Sequence, residues 1–420
     1  MKYCYLILII CSSHFTHAQN WEKRHSFAKS YFGISNFIVP GLNDGNFLNS
    51  AGTIQKFQRN GFTSPAINIG ATHFWGYADI YISINTANLK FGTDEQKNRF
   101  AFGTFTGVRV YPFPLKEKTI RPYVGYKFSP FRYNQNDIAG NKFKYTKVKS
   151  VFDIGLGIQL PNFYFTLEYG RVLNPSFDTY LSRNVKSKDK FPSQILQIGL
   201  NYTIETTKGS GGAETEKANR LYSKSNKYGF FLSAGPSSVF PVGTSNYIAD
   251  LYPFLDNKTN SSIFPDMSIG YHFTKTDLVT ALSFRPMTQK RNAYDFQQKI
   301  NRKSIILECY KYVADYHGFV PYVGVGVGYE NLHLTETDYG SKITQLTQNK
   351  FSPAIVFGWD VRPGVKADWW ILRTNLRYYP FLNIEHQGKK ISLQHLEFNF
   401  IQFVLYPQKM KISKNSSKNK

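Results

Sequence analysis

The sequence of 420 residues lacks two features whose absence narrows its class. Beyond the N-terminal segment, no apolar run reaches the roughly 18–20 residues that a transmembrane helix needs, so helical membrane spans are excluded. Cysteine is nearly absent as well, because Cys4 and Cys11 lie in the N-terminal segment and Cys309 stands alone in the rest of the chain. A lone thiol forms no internal disulfide, so an exported chain needs another source of stability, and a closed hydrogen-bonded barrel is one such source.

The N-terminal segment is typical of a secretory signal. Its sequence, MKYCYLILIICSSHFTHAQ, joins a basic start, an apolar stretch and the small-residue end THA, which predicts a signal peptide over 1–18 with cleavage after Ala18. A lipoprotein beginning at Cys11 is the alternative, but Ile10 is a poor residue before a lipidated cysteine. The chain carries a net charge of +23, so anionic lipid headgroups are the expected partner rather than nucleic acid.

A period-two alternation of large apolar and smaller or polar residues recurs along the chain and predicts β-strands. In IGLGIQL at 154–160, the large apolar residues fall on one face, while glycine and Gln159 fall on the other. Sixteen segments share the pattern. They are 31–39, 66–74, 78–85, 100–111, 123–131, 151–160, 163–171 and 195–204 in the first half, and 228–235, 266–273, 278–285, 304–313, 322–329, 354–361, 370–379 and 395–405 in the second.

The two halves read as copies of one module. The phrase PYVG occurs at 122–125 and again at 321–324, each time in the fifth segment of its half. A polar stretch containing glycine and serine separates the halves and is typical of a linker. The sequence therefore predicts a signal peptide (1–18), a first β-barrel module (19–205), a flexible linker (206–226), a second β-barrel module (227–407) and a basic C-terminal tail (408–420).

Long and short connections alternate between the predicted strands, as at 40–65 and then 75–77. This rhythm is typical of outer-membrane barrels, which have long extracellular loops and short periplasmic turns. Three features carry a resemblance to a known family: this rhythm, the glycine-containing strands and the N-terminal export signal. Each half resembles the small eight-stranded outer-membrane β-barrel domain of Gram-negative bacteria, which is OmpA/OmpX-like in shape. The chain as a whole resembles a tandem duplication of that domain. The resemblance implies the fold and a location in the cell outer membrane, and it implies no particular activity.

The predicted fold class is all-β, an antiparallel transmembrane up-and-down barrel of about sixteen strands in two eight-stranded modules. The alternative is a single sixteen-stranded barrel. An eight-stranded barrel has room only for side chains, so its inward charges must pair. The predicted interior charges are Arg109, Lys127, Asp153 and Glu168 in the first module and Asp360, Arg373, Arg377 and Glu397 in the second. Both signs occur in each module, which favours two self-sufficient interiors; in a single wide barrel these residues would line a water-filled pore.

Two basic segments are predicted in extracellular loops, NKFKYTKVKS at 141–150 and RNVKSKDK at 183–190. There the phosphates of lipopolysaccharide would be close, so the segments are predicted to contact anionic glycolipid. The positions concerned are Lys142, Lys144, Lys147 and Lys149 in the first segment and those around Ser187 and Lys190 in the second. Outer-membrane lipids and lipopolysaccharide are thus the expected partners, with surface polysaccharide or other envelope proteins as further candidates.

No catalytic residue, metal site or cofactor is expected. No two histidines of the mature chain stand at the i, i+2 or i, i+4 spacing of a zinc site, and the glycines at 324–328 lack the following helix or GK[ST] of a phosphate loop. Ser283 and His272 fall on adjacent predicted strands, but His272 lies near a periplasmic turn. The favoured function is therefore a non-enzymatic structural or surface-binding role; the alternatives are a passive porin-like channel for small anionic solutes and, third, an outer-membrane lipid-modifying enzyme or protease.

Overall fold

The computed structural model of this chain describes residues 27–86, 89–92, 97–136, 142–205, 229–257, 263–273, 276–315, 318–362 and 369–408. The predicted signal peptide and linker lie outside these ranges, as does the predicted tail after Gln408. None of the helices within them is both long and apolar enough to cross a membrane.

Eight antiparallel strands of the first half close into a ring, in the order β1, β4, β5, β8, β9, β10, β11, β14 and back to β1. The strands of this half are β1 (Lys29–Val39), β2 (Gly45–Leu48), β3 (Ile54–Phe57), β4 (Phe62–His73), β5 (Ala78–Asn85), β6 (Leu89–Gly92), β7 (Lys97–Phe102), β8 (Phe105–Val110), β9 (Ile120–Asn136), β10 (Lys142–Gln159), β11 (Phe163–Val172), β12 (Ser176–Tyr180), β13 (Lys186–Lys190) and β14 (Gln194–Glu205). β6 and β7 form a hairpin, and β7 also pairs with β9. Two further hairpins, β2–β3 and β12–β13, are separate from the ring.

A second ring of eight strands closes in the second half, from β15 through β21 to β24 and back to β15. Its elements are β15 (Gly229–Pro241), helix α1 (Asn246–Leu251), β16 (Phe264–Phe273), β17 (Leu278–Ala293), β18 (Phe296–Tyr312), β19 (Phe319–Asp338), β20 (Ser341–Val361), β21 (Trp370–Tyr379), β22 (Asn383–His386), β23 (Lys389–Ser392) and β24 (His395–Leu405). The chain therefore forms two eight-stranded barrels, and the alternative of one sixteen-stranded barrel is wrong.

The exposed face of the strands is apolar and the buried face is polar. Along β10, Phe152 is 49% exposed and Ile154 53%, while Asp153 between them is fully buried. The same alternation runs along β19, where Val323, Val325 and Val327 are all more than half exposed. Outward valine, leucine and phenylalanine form an apolar belt around each barrel.

Inward glycines make room for tyrosine rings. A Cβ atom on Gly155 would lie 2.5 Å from the Tyr123 ring, and a Cβ on Gly358 would lie 2.8 Å from the Tyr322 ring. No other residue fits at these positions unless the neighbouring strand moves, and this explains why glycine recurs inside strands.

Several predicted loops are strands in the structure. β17 and β18 stay paired as far as Ala293 and Phe296, and β19 and β20 as far as Asp338 and Ser341. The first of these hairpins closes at 294–295 with positive φ angles of 47° and 65°, as a tight two-residue hairpin turn requires. The sequence pattern fades in these segments because their outer face is polar, whereas the backbone pairing continues.

One end of both barrels carries the long connections, at 40–61, 173–193, 242–263 and 380–394, and the other end carries short turns such as 160–162. Long loops mark the extracellular end of membrane barrels. We call the part of both barrels beyond the apolar belt at this end, with its hairpins and α1, the extracellular cap.

The two barrels share the core of the extracellular cap. Phe143 of β10 pairs with Ala293 of β17, and Tyr294 N donates to Lys142 O at 3.0 Å. One apolar cluster contains buried residues of both barrels, among them Phe131, Tyr133, Phe143, Phe177 and Phe191 from the first and Tyr247, Phe254, Leu255, Tyr294 and Phe296 from the second. The barrels also touch lower down, where the rings of Phe128 and Phe240 lie 5.2 Å apart.

Candidate functional site: barrel interiors and extracellular cap

The four charges predicted inside the first barrel meet there. Glu168 accepts a hydrogen bond from Arg109 Nε at 3.0 Å and pairs with Lys127, and Lys127 Nζ lies 3.2 Å from Asp153 Oδ1. Each of the four side chains is at most 2% exposed. Asp79, which sequence reasoning missed, adds a third carboxylate 3.6 Å from Arg109 Nη1. Its place on the inward face of β5, in line with buried Tyr81, was the available signal.

The second barrel encloses a larger ion-pair network around the four charges predicted there. Arg373 Nε donates to Asp360 Oδ1 at 2.7 Å, and Arg377 Nη1 lies 3.1 Å from Glu397 Oε1. Charges that were not predicted also join this network, among them Arg285, Arg302, Asp266, Glu308 and Glu330. They lie on strands whose alternation already assigned an inward face.

Aromatic side chains fill the interior next to these ion pairs. Five buried tyrosines cluster in the first barrel: Tyr31, Tyr81, Tyr111, Tyr123 and Tyr164. In the second, Tyr310, Tyr312 and Tyr322 pack beside Arg373, whose guanidinium lies 5.2 Å from the Phe231 ring. Paired charges and large rings therefore occupy the space enclosed by each ring of strands, as the width of an eight-stranded barrel requires.

The hairpins of the extracellular cap close the mouth of the first barrel. Arg59, which follows β3, makes two hydrogen bonds of 2.7 Å to Asp189 of β13. Both side chains are buried, and the guanidinium lies 4.7 Å from the ring of Phe100. A bidentate ion pair of this kind fixes both hairpins in place, because either partner alone would be a buried charge without compensation.

Helix α1 and the β22–β23 hairpin cover the mouth of the second barrel. Tyr247 donates from Oη to Glu336 Oε2 at 2.8 Å, while Ile248 of α1 and Ile384 of β22 are buried in the shared core. Burial, together with this hydrogen bond, raises the pKa of Tyr247, so its phenol remains a donor at neutral pH.

The four lysines of the first basic segment were predicted to lie in a loop at 141–150. They lie instead on strand β10, which begins at Lys142. Lys142 and Lys144 are exposed, and Lys147 is half-buried. Lys149 is buried: its Nζ donates to the carbonyl oxygens of Asn174 and Ser176, so it faces the barrel interior rather than solvent. The inward face of β10 continues beyond the apolar belt, so every second residue there, including Lys149, still faces the barrel interior.

The second basic segment is a hairpin. Ser187 of β13 is half-buried and its Oγ accepts a hydrogen bond from Asn46 at 3.0 Å, whereas the neighbouring Lys188 and Lys190 are exposed. Lys186 pairs with Asp178 at 2.8 Å on the surface. Of the positions predicted from both segments and their neighbours, Lys142, Lys144, Lys188 and Lys190 present free surface on the cap.

Ser283 and His272 do not form a catalytic pair in the structure. His272 lies opposite Val279, and Ser283 lies four residues farther along β17, roughly 13 Å away at the usual rise of a strand. Both side chains are buried in the barrel interior, and the His272 ring contacts Tyr312 at 5.1 Å.

An apolar belt outside, paired charges inside and closed antiparallel rings define an integral membrane β-barrel of the outer-membrane type. Solved outer-membrane proteins can be aligned with 90% of this chain. They include OmpT of Vibrio cholerae, at 8% identity over 98% of that chain with a TM-score of 0.19, and an outer-membrane channel from Pseudomonas putida F1, at 8% identity over 94% of that chain with a TM-score of 0.21. The class of the present chain follows from the geometry of its own two barrels. No protein-family model and no curated protein matches the sequence.

Proposed function

We propose that this protein is a non-conducting, non-enzymatic outer-membrane protein that binds surface ligands through its extracellular cap. The observation that carries the proposal is the filling of both barrels. Arg109, Lys127 and Glu168 in one barrel and Arg373 and Arg377 in the other lie buried in ion pairs where a channel would need water. The cap is then the part of the molecule that can meet ligands outside the cell.

Single-channel recording tests the non-conducting part of the proposal. The refolded mature chain in a planar bilayer is expected to give no steady channel, because buried ion pairs and tyrosines block each lumen. Heat-modifiable mobility on a gel serves as the control for folding. Steady, anion-selective openings from folded protein would contradict the proposal and favour the porin-like alternative.

Binding of lipopolysaccharide tests the surface-binding part. We propose that the exposed lysines Lys142, Lys144, Lys188 and Lys190 contact its phosphates. Each lysine near an anionic surface contributes about 1 kcal/mol, so each Lys→Glu change should weaken binding of fluorescent lipopolysaccharide by at least about fivefold.

The matched control for these variants changes Lys116 and Lys118 to Glu; both are exposed in the turn before β9, at the opposite end of the first barrel. Reversing these two charges should leave binding nearly unchanged. Equal losses at both ends would indicate that net charge alone attracts the lipid, with no contribution from the cap.

We also infer that the two barrels arose by tandem duplication. In support, PYVG begins at the third residue of β9, Pro122, and at the third residue of β19, Pro321. These are corresponding strands, the fifth in each ring. A sequence profile built from homologues of the first barrel alone should detect the second in the same register; failure to detect it would leave only a shared architecture.

A further inference from the structure

A cleft opens between the two barrels within the extracellular cap. It has a volume of about 250 Å³. Residues from β10 and β12 of the first barrel form one wall, and the connection that contains α1 forms the other. The size of the cleft falls just below the roughly 300–1,000 Å³ of drug-sized sites, which suits a small ligand.

The first wall of the cleft is a rigid aromatic surface. It consists of Phe143, Tyr145 and Tyr180, of which the two tyrosines are half-buried and Phe143 is buried. Tyr145 is held by stacking on Phe177 at 4.9 Å and 12°, and Phe143 stacks on Tyr294 of the other barrel at 5.8 Å. The two walls are joined where Thr146 N donates to Asp256 Oδ2 at 3.2 Å. The site is therefore held in place from both sides, and it exists only because the barrels adjoin.

The polar groups of the cleft are of mixed kind. Asp178 and Asp256 supply carboxylate acceptors, Lys147 supplies an ammonium donor, and the hydroxyl of Thr244 and the amide of Asn257 can do both. Two carboxylates disfavour a phosphate or another anion, so this site differs from the exposed lysine surface. A ligand that is amphipathic, uncharged and rich in groups that both donate and accept matches the set.

We propose that the cleft binds a neutral pyranose sugar, with the C–H face of the ring against the aromatic wall and its hydroxyls on Asp178, Asp256 and Lys147. An aromatic ring can contact the apolar C–H face of a pyranose over a large area. The hydroxyls of the sugar are both hydrogen-bond donors and acceptors, as are the polar groups of the cleft taken together. This inference deepens the proposed surface-binding function, since it names a ligand for the cap.

Saturation-transfer NMR on the refolded protein in micelles tests the site, with glucose, galactose, mannose and N-acetylglucosamine as probes. At least one sugar should show transfer, and Asp178→Ala should weaken its binding by about tenfold, the loss expected for a hydrogen bond to a charged group. Asp178 is half exposed, so the variant should fold. The second variant is Lys147→Ala, which removes the ammonium donor of the cleft. The matched control is Asp315→Ala, which removes another half-exposed, ion-paired carboxylate, one that lies between β18 and β19 at the opposite end of the second barrel.

Absence of transfer from all four sugars would overturn the site, as would equal transfer to the native protein and to Asp178→Ala. The lysine variants at Lys142, Lys144, Lys188 and Lys190 should leave sugar binding unchanged, so loss of the sugar site and loss of lipopolysaccharide binding can be told apart. If Asp178→Ala also weakens lipopolysaccharide binding, the sugar belongs to that lipid; if it does not, the sugar comes from a free saccharide.

Discussion

Replacing Arg377 with alanine is expected to destabilise the second barrel by about 3–5 kcal/mol, the usual cost of removing one partner of a buried ion pair. Arg377 Nη1 lies 2.6 Å from Asp266 Oδ2, and its other nitrogens bind Glu308. Glu397 retains Arg285 at 2.8 Å after the change. Two carboxylates would then remain inside the barrel without their cation, a large loss when folded proteins are typically stable by only about 5–15 kcal/mol.

Urea unfolding of the refolded protein in lipid vesicles measures this loss. The matched control is Arg132→Ala, which removes an exposed arginine from β9 and should change the free energy of unfolding by no more than about 0.5 kcal/mol. Adding Glu308→Gln and Asp266→Asn to Arg377→Ala should recover part of the stability, because no unpaired carboxylate would remain. If Arg377→Ala costs no more than the control, the carboxylates are hydrated, and the interior is a water-filled lumen after all.

Cysteines introduced at Phe143 and Ala293 are expected to join the two barrels by a disulfide in nearly all molecules. These residues are direct partners in the pairing of β10 with β17. Antiparallel partners have Cα atoms about 4.5–5.5 Å apart, within the roughly 4.4–6.8 Å that a disulfide spans. Cys309 should first be replaced by serine, so that the introduced thiols have no competitor.

Cleavage at a protease site inserted after Gly212 makes the cross-link visible. Without reductant the two halves should migrate together on a denaturing gel, and with reductant they should separate. The control pair is Phe143→Cys with Thr276→Cys, whose second position is exposed in the turn before β17, at the opposite end of that strand from Ala293. Equal cross-linking of both pairs, or none in the first, would contradict the shared cap and indicate that the barrels are independent.

The barrel strands followed from local sequence pattern. The segments predicted at 78–85, 370–379 and 395–405 coincide with β5, β21 and β24 to the residue. The alternation was readable there because each strand has lipid on one side and a crowded interior on the other. Successive residues must therefore be large and apolar on the lipid side and small or polar on the interior side. The same alternation assigned Arg109, Lys127 and Glu168 an inward face before any partner was known.

Other features depended on distant parts of the chain. Whether sixteen strands close as one ring or two is set by the pairings of β1 with β14 and of β15 with β24, which join residues far apart in sequence. The partners of Arg377, on β16 and β18, were not predictable for the same reason.

The sequence by itself determined that this protein spans a membrane with β-strands and that the charged residues of those strands face the barrel interior. The reason is that every strand crossing lipid must alternate an apolar outward residue with an inward one. The tertiary structure decided what lies beyond the belt. There water replaces lipid, the outer face of β17 to β20 turns polar, and the pattern disappears although the backbone stays paired. The burial of Lys149, the joint core of the cap and the cleft at Asp178 and Asp256 all lie in that region, and contacts between distant segments fix each of them.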